Sequence, residues 1–213
     1  MTHPRAFILT VRKTLPKCEA TLKRLQSVGV SAEIFFGLDA AAMNLSPNNY
    51  YERNGVSLGI DLKTGGPLAG EKIGHRPVAA CLSHLMMWKV LSYMPEDSFW
   101  CLEDDVEFYV NWKEAYALAM AHLPADWDIV FIGSCCTHGR PTTDLGGGLY
   151  EVKYPLCGHA LQIRKKALPI LIEAHQRIWA PLDIAMFHDS LPLLKVYTVL
   201  PRMCGQKNTF IPV

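Results

Sequence analysis

No stretch of this chain reaches the roughly 18 consecutive apolar residues that a membrane-spanning helix needs. The first twelve residues also lack the apolar run of a secretory leader, since residues 6–11 make only a strand's length. An excess of one charge is missing too. The 21 Lys and Arg stand against 20 Asp and Glu, for a net charge of +1, which argues against a broad, sequence-independent hold on a phosphate backbone. The seven cysteines are odd in number and irregular in spacing, so neither a disulfide framework nor a zinc knuckle is legible. The expectation is a soluble, unexported, cytoplasmic protein with reduced thiols used as small core residues. What is present is apolar material. Half of the 213 residues are hydrophobic, enough for one sizeable α/β domain over residues 1–213 and too short a chain for two.

Apolar runs and helical periodicity alternate along the chain. Residues 6–11 read as a buried strand, and Cys18, Leu22, Leu25 and Val28 then recur at helical spacing before Gly29. Residues 32–36 read as the next strand, and strand–helix–strand is the mark of a mainly parallel sheet. Residues 44–75, rich in Asn, Gly and Pro, read as a flexible loop, suited to cover a ligand. Further helices are expected over 77–94, 112–123, 165–174 and 181–191. Further strands are expected over 99–102, 129–132 and 195–199, with 149–154 and 160–163 as an antiparallel pair.

The most informative feature is Glu103-Asp104-Asp105, directly after an apolar strand. In an open α/β sheet, ligands bind beyond the carboxyl ends of strands, where this triplet stands. Three like charges at the mouth of a core repel one another unless a cation sits among them. Hard oxygen ligands suit Mg²⁺ or Mn²⁺, which keep positions open for a substrate diphosphate. The plainer reading is a solvated acidic first turn of a helix. Three other segments keep it company. Ser83-His84, with Trp88 one turn on, lies on the preceding helix, and adjacent residues there point about 100° apart, so they are no nucleophile–base pair. Gly158-His159 puts a glycine where a backbone could approach a ligand, or where a strand simply begins. Asp183, after Pro181-Leu182, is an isolated acid or a helix cap.

In order and spacing these segments resemble glycosyltransferase family 25, which includes bacterial lipooligosaccharide β-galactosyltransferases and procollagen galactosyltransferases. The matching elements are the first strand with Arg12-Lys13, residues 35–39, Ser83-His84 with Trp88, Leu102 to Val106, residues 129–133, Gly158 with Lys165-Lys166-Ala167, and Pro181-Leu182-Asp183. The chain departs from the family at Thr10, where Asn is common, at Ala79-Ala80 and at His159. The resemblance implies a GT-A-like fold, a single Rossmann-like domain with a mainly parallel mixed sheet. It implies metal-dependent, inverting transfer of a hexose, galactose or glucose, from a nucleotide sugar such as a UDP-sugar to a saccharide hydroxyl. By analogy Glu103 and Asp105 are metal ligands and Asp183 is the base or, alternatively, a residue that holds a sugar hydroxyl. Thr10, Arg12, Ser83, His84, Asp104, Gly158 and His159 bind the donor, with Ser83 and His84 alternatively bracing the triplet.

Two rivals keep the fold. The same chemistry could act on a hydroxylated nucleobase in DNA, using a basic stripe of Lys13, Lys17, Lys23 and Arg24. A non-catalytic sugar-binding protein would turn over no donor. A third rival, a metal-dependent phosphoesterase, would release phosphate without an acceptor.

Overall fold

The structure, a computed structural model, describes residues 3–41, 56–64, 66–134, 141–153, 155 and 157–206. From the amino end run β1 (Arg5–Thr10), α1 (Leu15–Ser27) and β2 (Ala32–Phe36). A hairpin of β3 (Val56–Asp61) and β4 (Gly66–Gly74) leads into α2 (His75–Ser92). Then come β5 (Ser98–Glu103), the short β6 (Val106–Phe108), α3 (Trp112–Ala121), β7 (Ile129–Gly133), β8 (Pro141–Gly146), β9 (Leu149–Val152) and β10 (Ala160–Arg164). The described chain finishes with α4 (Leu168–Ala174), β11 (Arg177–Ile178), α5 (Leu182–Ala185), a π turn over Met186–Ser190, β12 (Val196–Val199) and β13 (Cys204–Gln206).

Eight strands make one sheet in the order β2-β1-β5-β10-β7-β12-β9-β8. β1 runs parallel to β2 and β5, and β12 parallel to β7, whereas β10 lies antiparallel between β5 and β7. β9 is also reversed against both its neighbours. Only β9 and β10 therefore oppose the common direction, and the expected α/β class with a mainly parallel mixed sheet is what forms. The inner strands β5, β7, β10 and β12, with most of β1, are buried on both faces, which is why most of them read as apolar runs. Alternate residues go to opposite sides. Ala6, Ile8, Trp100, Leu102, Val130 and Ile132 pack toward α1 and α3, through Leu25, Tyr116 and Ala119. Phe7, Phe99, Cys101, Ile129 and Phe131 pack toward α2 and α4, through Leu85, Trp88, Leu168 and Leu171. No helix among the described residues is long and apolar enough to cross a membrane.

Local chemistry explains the elements that were legible. Cys18, Thr21 and Leu25 form the buried stripe of α1. Gly29, at a φ of +78°, ends that helix, with Val30 N–H donating to the Leu25 carbonyl.

Three expectations need correction. The stretch 44–75 is not all loop: residues 56–61 and 66–74 pair as an antiparallel hairpin, which β11 extends into a three-stranded sheet. Residues 42–55 lie outside the described residues. The strands at 149–152 and 160–164 do not pair with each other, because β10 inserts between β5 and β7 while β9 joins β12 and β8. Both have apolar runs, and an apolar run does not name its partner. The thiols also differ from one another. Burial pushes Cys18 up to about 11 and Cys81 up to about 12, and raises Cys101 and Cys204 as well, so these four are inert free core thiols. Cys157 instead takes part in a disulfide, at a φ of +65°.

Candidate active site

β1, β2 and β5 run parallel, so their carboxyl ends open on one edge of the sheet, and the antiparallel β10 begins at that same edge. Ala160 pairs with Leu102, and the Glu103 N–H donates to the His159 carbonyl at 2.8 Å. The segment 157–159 is thereby laid beside the acidic turn. β6 follows that turn and pairs with β13, which brings Gln206 opposite Val106.

Two adjoining cavities, or lobes, open there. The larger lobe, about 480 Å³, lies between the exits of β1 and β2 and the start of α2; Thr10, Lys13, Leu38, Ser83, Asp104 and Asp105 line it. The smaller, about 360 Å³, is lined by Gly158, His159, Pro181, Leu182, Asp183 and Gln206. Arg76, Ala80, His84 and Glu103 belong to both. Glu103 therefore stands where the lobes meet.

The three carboxylates are held differently. Asp104 Oδ2 accepts from Thr10 Oγ1 at 2.6 Å, and its carbonyl accepts from Thr21 Oγ1 at 3.1 Å, tying the turn to β1 and α1. Glu103 Oε2 and Asp105 Oδ1 both face one amide nitrogen, Gln206 Nε2, at 2.7 and 3.3 Å. Burial, and then the charges of Asp105, Asp104 and Asp183, push the Glu103 carboxyl up to about 7, with the Gln206 bond opposing them. Asp183 lies on the far wall at the start of α5. Its Oδ2 accepts from the Cys157 N–H at 3.3 Å and its Oδ1 from the Ile184 N–H at 2.9 Å.

The remaining expected residues are unequal. Ser83 is engaged with the backbone: its hydroxyl donates to the Ala79 carbonyl at 2.6 Å and accepts from the Leu38 N–H at 2.8 Å. That clamp needs a glycine at 37, where a Cβ would stand 2.5 Å from Ser83 Oγ. His84 is buried, its Nδ1 has no partner, and burial followed by His175 draws its ring down to about 4. His159 borders the smaller lobe, and its Nε2 would lie 2.7 Å from a Cβ at Gly133. Arg12 does not line the cavity; its neighbour Lys13 does. Sequence reading passed over Arg76 and Gln206. A cation in the first turn of α2, at the helix end that favours anions, was the signal available for Arg76. Neither Lys13 nor Arg76 forms an ion pair with any described residue.

No three of the described His, Cys, Asp and Glu side chains converge as a metal-binding group. The acidic turn still suits a hard cation that takes few protein ligands. Two carboxylates converge on one point, and no described lysine or arginine pairs with the carboxylates of the cavity.

The buried rings make stability depend on pH. His84, His159 and His175 are each drawn down to about 4, chiefly by burial, while in the unfolded chain they titrate near 6.5. Between those values the unfolded state binds more protons, so stability is full above pH 6.5 and falls as pH drops toward 4. Each ring accounts for about 3 kcal/mol. Glu103, raised from 4.5 to about 7, acts in the opposite sense and offsets about one ring. Thermal unfolding at several pH values between 7 and 4 should show a steady loss, and a flat profile would exclude neutral burial of these rings.

No family model matches the chain. In overall structure it is similar to the glycosyltransferase GlyE of Streptococcus pneumoniae TIGR4, at 11% identity and a TM-score of 0.45, over 94% of this chain and 46% of that one. It is similar to a Thermus thermophilus protein described as mannose-1-phosphate geranyltransferase, at 15% identity and 0.42, over 95% and 75%. Mouse xyloside xylosyltransferase 1, in its apo form, matches at 10% identity and 0.38, over 91% and 82%. At these scores the likenesses assign neither a family nor a reaction.

Proposed function

We propose that this protein is a metal-dependent glycosyltransferase with a GT-A-like fold, which moves a hexose, galactose or glucose, from a UDP-sugar to a saccharide hydroxyl with inversion. The observation that carries the reading is the pair of lobes joined at Glu103, with Asp104 fixed in the larger and Asp183 in the smaller. The larger lobe takes the donor. Asp104, pinned by Thr10, offers its carboxylate to the ribose, while Lys13 and Arg76 face the diphosphate. Glu103 and Asp105 would hold Mn²⁺ or Mg²⁺, which supplies positive charge to the departing diphosphate. The smaller lobe takes the acceptor. Asp183 accepts the proton as the acceptor oxygen bonds to the anomeric carbon and the bond to phosphate breaks. His84 and Ala80 form the wall between donor and acceptor and limit access of water.

The test is a panel of nucleotide sugars offered to the full chain with Mn²⁺, first by thermal shift for binding and then with saccharide acceptors. Nucleoside diphosphate released only with an acceptor present supports the proposal. Phosphate released without an acceptor indicates a phosphoesterase, and donor binding without turnover indicates a sugar-binding protein.

A further inference from the structure

Gln206 reaches the acidic turn from the other end of the chain. β13 pairs with β6 in a register that sets Gln206 against Val106, one residue beyond Asp105. From there a single amide nitrogen donates to Glu103 Oε2 at 2.7 Å and to Asp105 Oδ1 at 3.3 Å. His84, only 3% exposed and unpartnered at Nδ1, lines the smaller lobe together with Glu103 and Gln206.

We propose that Gln206 is the third protein ligand of the divalent cation held by Glu103 and Asp105, turning its amide to present Oε1 when the ion binds. The inference rests on the metal-dependent reading above and adds a residue to it. Three observations lead there. The other acids are committed elsewhere, Asp104 to Thr10 and Asp183 to the backbone N–H groups of Cys157 and Ile184. No three described His, Cys, Asp or Glu side chains converge, so a third protein ligand drawn from the described residues would be of another type. The spacing also suits one shell. Neighbouring oxygens around an octahedral ion with ligands at about 2.1 Å stand about 3.0 Å apart, and the two contacts made by the amide fall on either side of that value.

An amide suits both states of such a site. Its NH₂ and C=O ends have nearly the same shape and opposite polarity. Facing two carboxylates without an ion, the nitrogen end donates to both. With an ion between them, the oxygen end is attracted in its place, through rotation about one terminal torsion. The remaining positions on the ion fall to phosphate oxygens and water.

The experiment measures Mn²⁺ binding to the full chain by calorimetry and by Mn²⁺ electron paramagnetic resonance, alongside the unfolding temperature of the metal-free protein. Gln206→Ala should weaken Mn²⁺ binding about 10- to 100-fold. Gln206→Glu should tighten Mn²⁺ binding yet lower the metal-free unfolding temperature above neutral pH, because an added carboxylate is repelled until the ion arrives. A folded Gln206→Ala protein that binds Mn²⁺ as wild type does would overturn the inference alone, leaving Gln206 a brace. If the alanine variant does not fold, weaker binding in Gln206→Glu overturns it. Wild type that binds neither Mn²⁺ nor Mg²⁺ overturns this inference and the metal-dependent reading together.

Discussion

Asp105→Asn is expected to lower metal-dependent turnover about 10³-fold while raising the stability of the metal-free protein. The two effects have one cause. Among the neighbouring charges Asp105 raises the Glu103 carboxyl most, and removing it relieves a cluster with which no described lysine or arginine pairs in the cavity. The asparagine keeps an oxygen to accept from Gln206 Nε2, so the turn between β5 and β6 retains its hydrogen bond. Without the second carboxylate the site loses much of its hold on a divalent cation, and with it the charge that stabilises a leaving diphosphate. That contribution is worth several kcal/mol, or about three decades in rate. Titration calorimetry of Mn²⁺ with UDP, beside an unfolding curve, reads both effects. Unchanged Mn²⁺–UDP affinity in the variant would remove Asp105 from the ligand set.

Asp183→Asn is expected to lower turnover by about 10²- to 10⁴-fold with donor affinity preserved. Asp183 lines only the smaller lobe, so the larger lobe, with Thr10, Lys13 and Asp104, is untouched. The substitution is also structurally mild. Both Asp183 oxygens accept backbone N–H groups at the start of α5; asparagine keeps one acceptor and suits a helix start as well as aspartate does. A loss of rate therefore cannot be put down to a lost helix. Single-turnover rates and donor dissociation constants, measured separately, check the split. Equal turnover would leave Asp183 as an anchor for the Cys157 loop, and weakened donor binding would make it a sugar-binding residue.

Legibility varied with the range of the interaction. The end of β5 could be read because an apolar run followed at once by three acids is a local contrast, and α1 could be read from one stripe and one terminating glycine. Ser83 and His84 were visible as a pair, but the duties of Ser83 were not, since its partner Leu38 is 45 residues away in the chain. The β3–β4 hairpin was hidden by its Gly- and Pro-rich composition, which resembles that of a loop until the strands pair.

By itself the sequence determined the class of the fold, the alternation of buried strands and amphipathic helices, and the presence of an acidic turn at a strand's carboxyl end. These follow from hydrophobic periodicity and near-neighbour chemistry, which are written within a few residues. Only the tertiary structure decided that β10 enters the sheet reversed, that Arg76 rather than Arg12 borders the cavity, and that Gln206 meets Glu103 and Asp105. Those contacts join residues as much as 103 positions apart, and such pairings come from strand order and register, which no local pattern encodes.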